Sequence, residues 1–333
     1  MTAGVFPSSR PQLITISIPV YNEEGNIDRL LDRLNSLAKQ NHEYAFEFLF
    51  TDNASIDGTF AKLAERAASD PRIRVLRFSR NFGFQRSTLT NLLNARGDAA
   101  IQIDADLQDP PELITQFLAK WREGYKVVYG VRRRRIENWI WRLARRLHYR
   151  VIAALSDVPV PLNAGEFRLI DRLVIQQLET YADHSPYLRG LIASLGFPQI
   201  GIPYDRSKRL AGKSKFNFTK LLTLSIDGVC SQSTKPLHYI TVFGISTSIV
   251  SILLAIGYLI LYLFTTINAP RGFTTLVLLM LASIGINAAF VGMLGEYVGR
   301  IYNNVRGGPT TIVVDRIESP PDEQRSDRIS AVQ

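Results

Sequence analysis

Along roughly the first 130 residues, short apolar runs alternate with amphipathic stretches. Residues 13–20, 46–51, 73–78, 99–103 and 126–129 are β-rich and bounded by turn formers, so each predicts a short buried strand. Between them the apolar positions recur at helical spacing. Ile27, Leu30, Leu31, Leu34 and Leu37 form one stripe within residues 26–38, and residues 59–68 and 87–95 read as two more helices. Pro110-Pro111 opens a fourth helix that runs through Trp121. Strands alternating with helices imply an α/β fold with a mostly parallel sheet covered on both faces. Ligands of such sheets bind at the carboxyl ends of the strands, and Asp52, Asp104 and Arg132 are expected just beyond three of those ends.

The pattern then changes. Two long apolar runs, at about residues 237–264 and 273–295, contain no Asp, Glu, Lys or Arg. Each is long enough to cross roughly 30 Å of hydrocarbon as a helix. The short link at residues 265–272 makes them a two-helix hairpin. Basic residues lie before it at 208–235 and after it at Arg300, Arg306 and Arg316, with only Arg271 between, so both ends are expected on the cytoplasmic side. Residues 139–155 mix Arg142, Arg145, Arg146 and Arg150 with Trp139, Trp141 and Leu147, which suits a helix lying in the interface. Residues 216–230 are similar and less basic. A solvated helix packed on the core is the competing reading of both segments. Residues 310–314 predict a small strand, and the polar chain from Glu318 predicts disorder.

Composition sharpens this division. The 333 residues carry a formal net charge of +9, with 46% hydrophobic and 21% charged residues, an average that hides a soluble part and a lipid-facing part. No zinc-finger, helix-turn-helix or RNA-recognition signature accompanies the basic charge, which therefore points to a membrane surface or to phosphate rather than nucleic acid. Cys230 is the single cysteine, so neither an intrachain disulfide nor a thiolate metal cluster can form. Residues 1–12 lack the apolar core of a signal peptide, which keeps the soluble part in the cytoplasm on this reading.

Candidate chemistry centres on Asp104-Ala105-Asp106, at a strand end and before a Pro-bounded helix. Two carboxylates one residue apart can share a hard cation. Mg²⁺ or Mn²⁺ commonly takes one or two carboxylates and fills its shell with diphosphate oxygens and water. Gln108 adds a carbonyl oxygen nearby in sequence.

These residues also carry a resemblance. Ile18-Pro19-Val20-Tyr21-Asn22-Glu23-Glu24 resembles the opening strand and loop of family 2 glycosyltransferases. The segment from Asp104 to Glu112 resembles the metal motif of their polyprenyl-phosphate branch, which includes bactoprenol glucosyltransferases and dolichol-phosphate mannose synthases. Ser79-Arg80-Asn81-Phe82-Gly83, Gly97-Asp98, Glu166-Phe167-Arg168-Leu169, Arg209 and Gly212-Lys213-Ser214-Lys215 are similar to that branch as well. The resemblance implies a GT-A (Rossmann-like) domain at residues 13–205, a basic phosphate loop and juxtamembrane helix at 206–235, two transmembrane helices within 236–300, and cytoplasmic tails at 1–12 and 301–333. It implies that Pro19, Tyr21, Glu23, Asp52 and Asp104 bind the nucleotide sugar. Asp104, Asp106 and Gln108 would hold Mg²⁺ or Mn²⁺. Arg132, Arg209, Ser214 and Lys215 would bind phosphate, and Asp106 and Glu166 would be catalytic.

Two positions depart from the family pattern. After the second strand it usually shows two acidic residues and a glycine, whereas this chain has Asp52, Asn53 and Ala54, which leaves base preference open. Glu166 stands where bacterial relatives usually have Asp. The implied reaction is inverting transfer of one hexose from a UDP- or GDP-sugar to polyprenyl phosphate, UDP-glucose being the first choice and GDP-mannose the runner-up. A processive polysaccharide synthase and a non-catalytic membrane scaffold are the remaining readings. The resemblance further implies an integral membrane protein of a prokaryotic plasma membrane and a homo-oligomer such as a tetramer.

Overall fold

The computed structural model describes residues 11–132, 164–180, 187–206, 272–305 and 309–318, with 237, 239–247, 249–250, 253 and 256. They fall into two units, the first holding the sheet and the second holding the helices of the apolar runs.

The first unit is an eight-stranded sheet in the order β7-β5-β6-β4-β1-β2-β3-β8. Its centre is parallel. β1 (Gln12–Val20) lies between β2 (Tyr44–Asp52) and β4 (Ala99–Gln102), and β3 (Ile73–Phe78) follows β2. β5 (Val127–Arg132) and β7 (Gln199–Tyr204) form a second parallel pair. Antiparallel β6 (Ala164–Asp171) joins that pair to β4, so the sheet is mixed at its flanks.

Each sheet face has its own core. On one, Ile14, Ile16 and Ile18 of β1 pack under α1 (Ile27–Gln40), α2 (Thr59–Ser69) and α4 (Ile114–Arg122), the last entered through a 3₁₀ turn at Pro111–Leu113. The helical stripe Ile27, Leu30, Leu31, Leu34 and Leu37 is fully buried there, and each such side chain contributes about 1.5–3 kcal/mol. On the other face Ala100, Val127 and Ile170 meet α3 (Phe84–Asn94), α5 (Arg172–Glu179) and α6 (Leu188–Ser194). Alternation along the strands divides the two cores: Ile101, Val128 and Leu169 face the first, and their neighbours face the second.

Gly97 is required by close approach. A Cβ there would sit 2.6–2.8 Å from backbone atoms of Ala99, Thr15 and Leu13. The adjacent Asp98 carboxylate accepts the Leu13 N–H at 2.8 Å and fixes the start of β1 against β4.

The strand expected at 310–314 lies three residues later, as β8 (Val313–Ile317), antiparallel to β3 at the sheet edge. Glu318 departs from the expected disorder, because its carboxylate is held by Arg74 at 3.2 Å and by Arg96 at 2.8 Å. Helix α3 starts at Phe84, one turn before the expected 87, where Gly83 turns the chain with φ 91°. Asp52 and Arg132 are the last residues of their strands rather than the first residues beyond them, since β2 and β5 run further than their apolar cores.

In the second unit, α7 (Phe273–Val305) is one helix of 33 residues, about 50 Å long. Residues 239–247 are helical too, and Phe243 meets Phe290 edge to face at 5.8 Å. Among the described residues no helix is long and apolar enough to cross a membrane. In α7 the side chains at 273–275, 277–278, 281–282, 284–285, 288–289, 296, 300 and 303–304 lie outside that set, as does half of the first apolar run. The interfacial segments at 139–155 and 216–230 also fall outside the described residues.

Candidate active site

Three loops meet at the carboxyl ends of β1, β2 and β4. Each contains a non-glycine residue in the left-handed region: Asn22 at φ 56°, Ala54 at φ 60° and Leu107 at φ 58°. Such backbone costs about 1–2 kcal/mol per residue and persists where surrounding bonds over-determine it. Those bonds are present. The Asn22 N–H donates to Ser55 Oγ and the Ile56 N–H to Asn22 Oδ1, both at 2.9 Å. The Glu23 N–H donates to Thr59 Oγ1 at 2.9 Å, and the Gly58 N–H to Glu24 Oε2 at 3.0 Å. The loops after β1 and β2 are thereby zipped together.

A cleft of about 310 Å³ opens between them and α3. It is lined by Pro19, Tyr21 and Glu23 from the β1 side, by Asn53, Asn81, Phe84 and Ser87, and by Asp104, Ala105 and Asp106 after β4. Five of the expected site residues therefore converge: Pro19, Tyr21, Glu23, Asp104 and Asp106. Gln108 is not brought to this cleft; its backbone N–H instead donates to Asp106 Oδ1 at 3.1 Å and holds that carboxylate in place. Asp52 is not in the cleft either. It is fully buried, accepts the Ser55 N–H at 3.0 Å and lies 3.4 Å from Arg77 Nε, so it shapes the loop that presents Asn53.

Asp104 is a strongly perturbed carboxylate. Burial first, then the charges of Asp109, Asp106 and Glu166, push it up to about 7, with Arg206 opposing. Its Oδ1 is buried without a hydrogen-bond partner. An orphaned carboxylate oxygen beside a second carboxylate suits a divalent cation, whose charge would offset the repulsion. The residues fit Mg²⁺ or Mn²⁺ bound by Asp104 and Asp106, with donor oxygens supplied by substrate. Among the described residues, no three His, Cys, Asp or Glu side chains form a cage that could hold a metal without substrate.

Behind Asp104 sits a fixed polar cluster that the sequence reading missed. Asp109 is buried and accepts the Tyr204 hydroxyl, and Arg206 Nε lies 3.2 Å from it. Burial and the Asp109 charge hold the Tyr204 phenol above its ordinary range. Arg132 Nε donates to Tyr204 Oη at 3.3 Å, and its Nη2 lies 3.9 Å from Asp109, so the expected phosphate ligand belongs to this cluster here. The sequence signal was available: Asp109 follows the metal motif directly, and β7 carries the aromatic that reaches it.

Glu166 on β6 is held by two arginines, Arg189 at 2.8 Å and Arg168 at 3.2 Å. Burial pushes its carboxyl up, but Arg168 and Arg189 outweigh burial and leave it below the ordinary glutamate range. It is an ionised partner for two guanidinium groups. Arg189 of α6 was not anticipated. Arg209, Ser214 and Lys215 lie outside the described residues.

Comparison with known proteins shows the family. The family model described as "Glycosyl transferase family 2" matches residues 15–179. The uncharacterized glycosyltransferase YkcC of Bacillus subtilis (strain 168) is 39% identical over 306 residues, covering 92% of this chain and 94% of its own. The SfII prophage-derived bactoprenol glucosyl transferase of Shigella flexneri is 32% identical over 301 residues, covering 90% of this chain and 97% of its own. Among solved structures, mannosyl-3-phosphoglycerate synthase from Rubrobacter xylanophilus aligns at TM-score 0.46 and 17% identity, over 79% of this chain and 80% of that one. The family match and the Bacillus and Shigella relatives define a glycosyl-transferring enzyme. The chain belongs to glycosyl transferase family 2.

Proposed function

We propose that the protein transfers one hexose, glucose from UDP-glucose in the first instance, to a polyprenyl phosphate. The products are a polyprenyl-phosphate sugar, inverted at the anomeric carbon, and a nucleoside diphosphate. The carrying observation is the cleft in which the loop of Pro19, Tyr21 and Glu23 faces Asp104 and Asp106. Glucose and a bactoprenol acceptor are taken from the name of the Shigella relative.

In this reading the β1 loop holds the nucleoside and the two aspartates hold the diphosphate end. Mg²⁺ or Mn²⁺ bound by Asp104 and Asp106 supplies positive charge where the leaving diphosphate gains negative charge. The nucleophile is a lipid phosphate oxygen, already anionic at neutral pH, which needs orientation more than deprotonation. Glu166 suits that need by fixing Arg168 and Arg189, since arginine pairs with phosphate in a defined geometry. Arg209, Ser214 and Lys215 are assigned to the donor and acceptor phosphates.

A lipid acceptor requires access to a bilayer. We place two crossing helices at about 237–264 and 273–295, with the catalytic domain and both termini in the cytoplasm of a prokaryote. Supporting this, the hydroxyls of Thr241, Ser246 and Thr247 and the amide of Asn287 each donate to the carbonyl four residues back, at 2.8–3.0 Å. Each of these donors is thus satisfied within its own helix, which suits a hydrocarbon setting.

The test is release of UDP from UDP-glucose by the detergent-solubilised protein. Release should depend on added polyprenyl phosphate and on Mg²⁺ or Mn²⁺, and should fall at least about 100-fold in Asp106→Ala. Release that is indifferent to both additions would sink the proposal.

A further inference from the structure

A row of three charged side chains crosses the edge of the sheet beside the cleft. Strand register sets Asp52 of β2 next to Arg77 of β3, and Arg77 next to Asp315 of β8, so the three share one face. Arg77 Nε lies 3.4 Å from Asp52 Oδ2, and its Nη1 lies 3.7 Å from Asp315 Oδ2. The guanidinium also stacks over the Phe60 ring of α2, 4.3 Å from its centroid. Asp52 is fully buried, and its Oδ2 has no hydrogen-bond partner among the described residues. Arg77 is the cation that compensates that oxygen.

The row ends on loops rather than in the core. Asp52 Oδ1 accepts the Ser55 N–H at 3.0 Å, and Ser55 Oγ accepts the Asn22 N–H at 2.9 Å. Asn22 and Ala54 are the left-handed residues of the loops after β1 and β2. Asn53, between Asp52 and Ala54, donates from Nδ2 to Asn81 Oδ1 at 2.9 Å and so ties in the loop after β3. Tyr21, Glu23, Asn53 and Asn81 line the cleft, whereas Arg77 does not. A buried ion pair is weak evidence for stability, since apolar side chains of similar volume commonly serve a core as well. The charge is needed here for the carboxylate that orients the loops. We infer that Arg77 is a positioning residue: seated by Asp315 and Phe60, it fixes Asp52 and through it the strained loops that receive the donor nucleotide. The inference rests on the nucleotide-sugar reading above.

Arg77→Met tests it, because methionine keeps an unbranched apolar stem and removes the charge. UDP affinity is measured by calorimetry on the full chain in detergent with Mg²⁺, beside the melting temperature. A loop whose binding-competent form falls to about a tenth of the population binds about 10-fold more weakly, and Arg77→Met should lose at least that much. Glu318→Ala is the control, since it loosens β8 through Arg74 and Arg96 and leaves the Asp52–Arg77–Asp315 row in place. It should melt lower yet bind UDP within about 2-fold of the native protein, its loop population being unchanged. Adding Asp52→Asn to Arg77→Met keeps an oxygen for the Ser55 N–H and needs no counter-charge. That double variant should fold and recover most of the UDP affinity, and it carries the test where Arg77→Met alone does not fold. Native affinity in a folded Arg77→Met, an equal loss in Glu318→Ala, or a double variant that fails to fold or to recover binding overturns the inference while the nucleotide-sugar reading stands. If the native protein binds neither UDP nor GDP, that reading fails and takes this inference with it.

Discussion

At the scale of single residues, the chemistry turns on how one carboxylate is crowded. Asp104 has Asp109, Asp106 and Glu166 around it, with Arg206 and Arg132 in opposition. A carboxyl raised from its ordinary value to about 7 favours the folded state while protonated and loses that contribution as pH rises through 7. A divalent cation binds the ionised form and so competes with the proton. The thermal stabilisation given by Mg²⁺ should therefore be larger at pH 8 than at pH 6, and Asp104→Asn should remove the difference. Differential scanning fluorimetry at the two pH values checks this; an equal or larger shift at pH 6 contradicts it. Glu166 is the opposite case, a carboxylate kept ionised by Arg168 and Arg189.

At the scale of elements, the edge strand β8 ties residues 313–318 to β3 and to Asp52 at the end of β2. Arg77 lies 3.4 Å from Asp52 and 3.7 Å from Asp315 of β8, and Glu318 closes over Arg74, which also meets buried Glu47 at 3.3 Å. Glu318→Ala should cost about 1 kcal/mol, or roughly 2–4 °C in melting temperature for a domain of this size. Because the arginines hold Glu318 below the ordinary glutamate range, the loss should be full at neutral pH and fade as pH falls through that lowered value. A melting curve unchanged at pH 7 would refute it. The parallel centre of the sheet was legible because Ile14, Ile16 and Ile18 and the α1 stripe carry the two periods plainly. Antiparallel β6 was recognised as a motif, not as a strand, although Phe167 and Leu169 alternate with Glu166 and Arg168 in the required way. The donor loop and the Asp104–Asp106 pair were readable from local sequence. The Asn53–Asn81 pair and the Asp109–Tyr204–Arg132 cluster were not, since they join residues 28, 95 and 72 positions apart. Only the fold brings such partners together.

At the scale of the whole molecule, the proposed reaction requires a water-soluble donor and a lipid acceptor to meet on one protein. The first unit supplies the cleft proposed for the donor, and the second carries apolar side chains such as Leu276, Leu279, Met280 and Val291 exposed on α7. Outward-facing residues of that kind on a long helix suit a lipid environment. The account is tested most directly by mass spectrometry of undecaprenyl phosphate after incubation with the full-length protein, UDP-glucose and Mg²⁺. The account expects a lipid heavier by a single hexose, absent with Asp106→Ala. Unmodified lipid with UDP- and GDP-hexoses alike, or a ladder of several hexoses, would contradict it.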